Sequence, residues 1–129
     1  MANQFVVQLK NEPGSMATLA ETLAARGVDL RAIGGGGIGD SGHVIMTTAD
    51  DETTRAVLDE GGYTYYEGES ILAEVDDRPG GMARISRQLA DAGVNILGHL
   101  FLGRWGDRAM FAFVVDDPDR ARPILERKR

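Results

Sequence analysis

The most constraining feature of this sequence is an internal repeat, because a shift of 66 residues aligns the chain with itself without a gap. The matched pairs span two helical segments and the strands between them: Pro13-Gly14 with Pro79-Gly80, Met16-Ala17 with Met82-Ala83, Leu23-Ala24 with Leu89-Ala90, Gly27-Val28 with Gly93-Val94, Gly37 with Gly103, and Asp50-Asp51 with Asp116-Asp117. Self-similarity at a fixed period is the signature of repeated structural units. The sequence therefore predicts two units, residues 1–68 and 69–129.

Hydrophobic periodicity predicts the same elements in each unit. Alternating apolar residues predict a first strand, at Phe5–Leu9 in one copy and Ile71–Val75 in the other. A helix follows each Pro-Gly break and is expected to end at Gly27 or Gly93, where glycine can take a left-handed conformation. The other expected elements are second strands at 28–33 and 94–102, third strands at 44–48 and 109–115, second helices at 52–60 and 118–126, and a fourth strand at 63–66.

This order of elements predicts an α+β fold of two tandem ferredoxin-like βαββαβ units, each with helices on one face of an antiparallel sheet. Asp51 and Asp117 are the expected N-caps of the second helices. The last strand of the second unit is expected to be missing or truncated, because the sequence stops where that strand would begin. Pro123 predicts a short or kinked last helix, since proline removes a backbone donor and crowds the preceding turn.

Composition and charge argue against several classes of function. A net charge of −6 disfavours nucleic-acid binding, and the basic run at 127–129 is interpreted as a solvated chain end. The absence of cysteine excludes a disulfide framework and thiolate chemistry. His43 and His99 occupy non-equivalent repeat positions, so neither a metal site nor a cofactor is expected. No signal peptide or membrane-spanning run is evident, which favours a cytoplasmic protein.

Two strand-to-helix segments carry the strongest functional signal: Asn11-Glu12-Pro13-Gly14-Ser15-Met16 and Asp77-Arg78-Pro79-Gly80-Gly81-Met82. Together with the helix ends Gly27-Val28-Asp29-Leu30 and Gly93-Val94-Asn95-Ile96, they resemble the ACT family of regulatory amino-acid-binding domains. The resemblance covers both repeats except the final strand of the second. It implies a ferredoxin-like fold and a non-catalytic sensor that binds a small amino acid and regulates a partner or its own assembly.

The chemistry of these loops is compatible with such a ligand. Proline fixes the turn, glycine allows close approach of the backbone, and a helix N-terminus presents unpaired N–H groups with partial positive charge. A ligand carboxylate would be stabilised there. Asn11 or Asp77, just before the turn, could accept hydrogen bonds from the ligand's ammonium group.

The resemblance also implies a set of contact residues. ACT domains that regulate serine biosynthesis use an asparagine before the Pro-Gly and another just after the helix, roles that correspond here to Asn11 with Asp29 and to Asp77 with Asn95. Because ACT ligands commonly lie between two units, one site could combine both copies or a dimer partner. The expected ligand-binding residues are Asn11, Pro13, Gly14, Ser15, Met16, Asp29, Asp77, Pro79, Gly80, Gly81, Met82 and Asn95.

The glycine run Gly34–Gly37 could be a phosphate cradle, but it lacks the lysine and hydroxyl of a P-loop. A mobile hairpin tip that folds over a ligand is the preferred interpretation.

Strand alternation in the second unit predicts an apolar surface. If Ile96, Leu100 and Leu102 point inward, the residues expected on the face opposite the helices are Leu97, Phe101, Trp105 and Leu72. Such a face needs cover, which predicts a homodimer.

Other functions remain open at this point. Asn-x-Pro-Gly and Asp-x-Pro-Gly are also good turn sequences by themselves, so the protein could be an interaction scaffold without a ligand. An acylphosphatase-like hydrolase or an RNA-binding module would share the topology. The first lacks an evident base and nucleophile pair, and the second lacks basic and aromatic residues on the central strand at 43–48.

Overall fold

The structure, a computed structural model, describes residues 3–127. Its elements are β1 (Gln4–Lys10), α1 (Ser15–Ala25), β2 (Leu30–Ile38), β3 (Ser41–Thr48), α2 (Asp51–Glu60), β4 (Tyr65–Gly68), β5 (Ile71–Asp76), α3 (Gly81–Asp91), β6 (Ile96–Trp105), β7 (Arg108–Val115) and α4 (Pro118–Leu125). Contacts divide the chain after Gly68, and the second unit begins at Glu69. The predicted α+β class with two antiparallel ferredoxin-like sheets is confirmed. Of the basic run at 127–129, the last two residues lie outside the described part of the chain.

The first unit has a four-stranded antiparallel sheet in the order β2-β3-β1-β4. Phe5 and Val7 of β1 are fully buried on the face that α1 and α2 cover, as the alternation of the sequence predicts. Leu19 and Leu23 of α1 and Leu58 of α2 complete this core. Gly27 follows α1 with φ 73°, in the left-handed conformation expected for the helix end.

The second unit has a sheet in the order β5-β7-β6, which contains three strands among residues 69–127. Ile71, Ala73 and Val75 of β5 are buried against α3 and α4, so the predicted inward face is confirmed. Gly93 takes the expected left-handed conformation after α3, with φ 76°. Pro123 lies inside α4, and this helix is 8 residues long where α2 has 10.

The N-cap predicted for α2 is wrong by one residue. Asp50 caps the helix, because its Oδ1 accepts the N–H of Thr53 at 3.0 Å and its Oδ2 accepts the Thr53 hydroxyl at 2.6 Å. Asp51 is instead the first helical residue, and its carboxylate accepts the N–H of Asn3 at 3.0 Å. Asp117 caps α4 as predicted, directly before Pro118.

The glycine run Gly34–Gly37 is part of a strand, so placing these four glycines in the hairpin tip is wrong, although the turn itself lies within the segment 34–42. All four glycines pair with β3, and the turn follows at Gly39 and Asp40. A Cβ on Gly35 would lie only 2.3 Å from the backbone oxygen of His43, so this stretch pairs more closely than a side chain would allow.

The predicted faces of β6 are partly wrong because the strand contains two bulges, between Ile96 and Gly98 and between Phe101 and Gly103. The first bulge reverses the alternation, so Phe101 pairs with Phe111 on the helix-covered face. Leu100 pairs with Ala112 on the opposite face, where an inward position was expected. The second bulge reverses the alternation again, and Trp105 therefore lies on the predicted face.

Candidate functional site

Each Pro-Gly loop leads into a helix whose N-terminus has no side-chain cap. Gly14 before α1 and Gly80 before α3 take left-handed conformations, with φ 91° and 88°, and no side chain accepts a hydrogen bond from either first turn. The carboxylates of Asp50 and Asp117 cap the other two helices.

The first N–H group of each helix donates within its loop, from Ser15 to Glu12 O at 3.4 Å and from Gly81 to Arg78 O at 3.0 Å. The partial positive charge of both helix N-termini therefore lies at the loops where a ligand was predicted, with the N–H groups that follow Ser15 and Gly81 as the candidate donors.

Asn11 ties the first loop to the β2–β3 turn. Its backbone N–H donates to Asp40 O at 3.0 Å, and its side-chain Nδ2 donates to Gly39 O at 2.9 Å. This orientation leaves Oδ1 as the atom that could accept a hydrogen bond from a ligand. The carboxamide lies over Gly37, where a Cβ would come within 2.7 Å of Asn11 Cγ.

A groove of about 340 Å³ lies beside this loop. Gly34, Gly35 and Gly36 form one side of it, while Asn11 and the start of α1 form the other. The three glycines keep the groove open because they carry no side chains. The remaining lining residues are Leu9, Lys10, Glu12, Ser15, Met16, Ile33, Gly42, His43 and Val44.

The same loop also borders a wider depression of about 830 Å³, toward the segment that leads into β4. Pro13, Gly14 and Thr18 line it from the helix side, and Gly61 and Tyr63 from the other. Gly14 and Pro13 therefore border this depression, whereas Asn11 and Met16 border the smaller groove. Ser15 lines both.

The second loop is built differently, around ion pairs. Asp77 Oδ2 accepts a hydrogen bond from Arg104 Nε at 2.8 Å, and the Arg104 guanidinium lies 4.7 Å from the centre of the Phe101 ring. The Asp77 N–H donates to Asp107 O at 2.8 Å. The side chain that corresponds to Asn11 is thus already engaged by a cation from β6.

The neighbouring carboxylate, Asp76, is surrounded by three arginines. Arg78 Nη2 lies 3.3 Å and Arg84 Nη1 3.5 Å from its Oδ2, and Arg108 contacts Oδ1. Gly81, which replaces Ser15 of the first loop, lies so close to β5 that a Cβ would come within 2.1 Å of Asp76 O. Pro79, Gly80 and Met82 retain the turn and the start of the helix.

The residues predicted after each first helix lie at the other end of the sheet. Asp29 O accepts the Ala49 N–H at 3.0 Å, and the Asp29 carboxylate pairs with Arg31 at 3.2 Å. Gly37, the residue that lies against Asn11, is close to the far end of β2, so nearly the whole length of this strand separates Asp29 from Asn11. Asn95 likewise precedes β6, where its N–H donates to Asp116 Oδ1 at 2.9 Å. Within one unit, Asn11 and Asp29 do not meet, and neither do Asp77 and Asn95.

Sequence patterns missed the residues that open the groove. Gly34–Gly36 and His43 line it, although the glycines were expected in a mobile tip and His43 was given no role. The signal that could have found them is hairpin pairing, which sets Gly36 opposite His43. His99, the other histidine, belongs to the second unit. It lies on the helix-covered face of β6, 6.3 Å from the Phe113 ring.

Two further tests concern other kinds of site. Among residues 3–127, no group of three or more His, Cys, Asp and Glu side chains is arranged to hold a metal ion. Over the same residues, no helix has the length and apolar character needed to cross a membrane.

Comparison with solved structures identifies the fold. The match to protein BT0572 from Bacteroides thetaiotaomicron covers 97% of this chain and 86% of the BT0572 chain, with a TM-score of 0.71 and 19% sequence identity. The regulatory subunit of aspartate kinase from Thermus flavus matches 98% and 92%, with a TM-score of 0.67 and 14% identity. The ligand-free regulatory subunit from Thermus thermophilus matches 97% and 87%, with a TM-score of 0.62 and 17% identity.

Identities this low show the fold alone, which is the arrangement of two tandem ferredoxin-like units that the sequence resemblance implied. No family model matches the sequence, and no curated protein matches it significantly.

Proposed function

We propose that this chain is a non-catalytic regulatory protein that binds a small amino acid in the groove beside Asn11. The observation that carries the proposal is the meeting of three features at one place: a groove of about 340 Å³, the uncapped N-terminus of α1, and the side chain of Asn11. That volume lies at the lower end of small-molecule pockets, which suits a ligand of a few heavy atoms.

The two ends of an amino acid have distinct partners in this groove. The carboxylate would accept hydrogen bonds from the first-turn N–H groups of Met16 and Ala17, where the helix dipole favours negative charge, because the Ser15 N–H already donates to Glu12 O at 3.4 Å. The ammonium group would donate to Asn11 Oδ1. A side chain would then extend along Gly34–Gly36, where the strand leaves open space.

A regulatory role is supported by the kind of protein that shares the fold. Two of the matched structures are regulatory subunits of aspartate kinase. For this chain we propose the same general role, with the signal passed to a partner protein or to the chain's own assembly.

We further propose that the chain forms a homodimer. Trp105 and Leu72 lie on the sheet face opposite the helices of the second unit and are 61% and 42% exposed, respectively. Exposed apolar groups of this size are typical of association surfaces. In a homodimer, the second chain could supply Asp29 or Asn95 to the bound ligand. Sedimentation analysis should give the dimer mass, and Trp105→Glu should shift it toward the monomer; a monomeric wild-type protein would contradict this proposal.

The ligand proposal is tested by thermal denaturation with each of the twenty standard amino acids. A ligand at a hundred times its dissociation constant should add about 2.7 kcal/mol to the free energy of unfolding. Asn11→Ala should lower the response more than Asp77→Ala, the matched substitution in the second loop.

The other outcomes separate the alternatives. Loss of the response in Asp77→Ala alone would move the site to the second loop. If no amino acid raises the midpoint and isothermal titration detects no heat of binding, the loops are turns and the protein is an interaction scaffold.

A further inference from the structure

The second loop carries a cation of its own at the position where a ligand's ammonium group would bind. We infer that the Arg104 side chain occupies this loop, competes with a ligand's ammonium group for Asp77, and so makes amino-acid binding weaker at the second loop than at the first. The inference rests on the proposed function, and it identifies Arg104 as the residue that decides which of two repeated loops binds more tightly.

Arg104 is held over the loop by two contacts. Its Nε donates to Asp77 Oδ2 at 2.8 Å, and its Cζ lies 4.7 Å from the Phe101 ring centre. Phe101 itself contacts Phe111, with ring centres 5.5 Å apart. The carboxylate and the aromatic face therefore hold the guanidinium from two directions.

The first loop has neither of these contacts. The repeat places Ile38 where the second unit has Arg104, and Ile38 is 90% exposed. It places Gly35 where the second unit has Phe101, so the aromatic support is replaced by open groove. Asn11, in place of Asp77, bonds only to backbone atoms of the turn.

An ammonium group at the second loop would compete with the Arg104 guanidinium for the single negative charge of Asp77, and the two like charges would repel each other. An amino acid at the second loop would have to displace Arg104 from Oδ2 before its own N–H groups could reach that atom. The side chains of Arg104 and Asp77 are 62% and 32% exposed, so their ion pair is partly screened by solvent. We therefore expect it to weaken the binding of an amino acid at the second loop rather than to prevent it. We expect the affinity for an amino acid to be about tenfold lower at the second loop than at the first, because Asp77 is free of Arg104 for only a small fraction of the time.

Arg78 provides a matched control for charge. It belongs to the same loop, is 63% exposed, and pairs with Asp76 at 3.3 Å. Removing Arg78 changes the local charge as much as removing Arg104, but the Asp77–Arg104 contact remains. A difference between the two variants therefore reports occupancy of Asp77 rather than general electrostatics.

The test is a titration of isotope-labelled protein with the standard amino acids, added singly, followed by ¹H–¹⁵N NMR. The amide signals of Gly14 and Gly80 report the first and second loops separately. In the wild-type protein, Gly14 should respond at concentrations about tenfold lower than Gly80. Arg104→Ala and Arg104→Gln should lower the dissociation constant at Gly80 by about tenfold without changing that at Gly14. Arg78→Ala should change neither.

Each outcome bears on one of the two proposals. Equal affinities at Gly14 and Gly80 in the wild type, an unchanged Gly80 response in both Arg104 variants, or an equal gain in Arg78→Ala would overturn the role of Arg104. A silent Gly14 with a Gly80 response that appears only in the Arg104 variants would support that role while refuting the first-loop site. No response at either glycine in any of the proteins would overturn both.

Discussion

The side chain of Asn11, which follows β1, lies directly over Gly37 of β2. These two strands are separated by β3, and the carboxamide spans that distance because Gly37 and Gly42 are paired there without side chains. The groove beside the first loop therefore depends on glycines in two strands as well as on the loop itself.

Gly37→Ala should weaken amino-acid binding. The new methyl group would meet the Asn11 carboxamide at 2.7–2.9 Å, so the side chain must move away from Gly39 O. Loss of one placed hydrogen bond is worth about 1 kcal/mol, and we therefore expect affinity to fall up to about tenfold in calorimetric titration. Thr22→Ala is the control, because Thr22 is an exposed residue of α1 whose hydroxyl donates to Thr18 O and which does not line the groove. Equal losses in the two variants would contradict the role of Asn11.

Gly35→Ala should destabilise the β2–β3 pairing. Its Cβ would lie 2.3 Å from the backbone oxygen of His43, which cannot rotate away as a side chain can. We expect a cost of about 1–3 kcal/mol in urea denaturation, as for other forced overpacking. Gly36→Ala should stay within ~0.5 kcal/mol of the wild type. A neutral Gly35→Ala would show that the strands can separate at this position without cost.

Exchange of the first helical residue between the two loops should be costly in the second loop and mild in the first. Gly81→Ser gives the second loop the residue of the first, but the new Cβ would come within 2.1 Å of Asp76 O. We expect a loss of about 2 kcal/mol or more, with NMR shifts concentrated in residues 69–127. The reverse change, Ser15→Gly, should cost only ~0.5–1 kcal/mol, the usual penalty of glycine in a helix. Similar costs would mean that both loops have the same spacing from the sheet.

Glu67 on β4 should make stability depend on pH. Its carboxylate accepts both Arg55 Nε and Nη2 at 2.7 Å and Asn3 Nδ2 at 2.8 Å. The hydrogen bonds from Arg55, and then that from Asn3, hold the Glu67 pKa below its ordinary value near 4.5, against the opposing effect of partial burial. A lowered folded-state pKa adds stability above the unfolded-state value, and this stability is lost as pH falls through the folded-state value.

Glu67→Gln should therefore reduce the free energy of unfolding by about 1 kcal/mol at pH 7, and by less at pH 3, which lies below the unfolded-state pKa and where the wild type has lost part of this contribution. Urea midpoints at the two pH values measure the difference. Glu60→Gln is the control, because Glu60 pairs with Arg26 at 2.8 Å in an exposed ion pair. An effect of Glu67→Gln that is equal at both pH values would show that the ionised pair does not contribute.

Much of the fold follows from local patterns. Alternation predicted the buried faces of β1 and β5, and helical spacing followed by Gly27 and Gly93 predicted α1, α3 and their left-handed ends. The loops were located by Pro13-Gly14 and Pro79-Gly80, which begin uncapped helices in the structure. These features are set by the conformational preferences of residues within a few positions of one another, so the sequence alone can predict them.

The sequence by itself thus determined the repeat, the order of elements and the position of both loops, because each depends on short-range periodicity and turn chemistry. Only the tertiary structure decided which side chains meet. The bulges of β6 brought Phe101 to the helix-covered face, and pairing across the sheets joined Asn11 to Gly37 and Asp77 to Arg104. Such contacts join residues more than twenty positions apart, and a shift of one residue in strand register reverses the face on which a side chain lies.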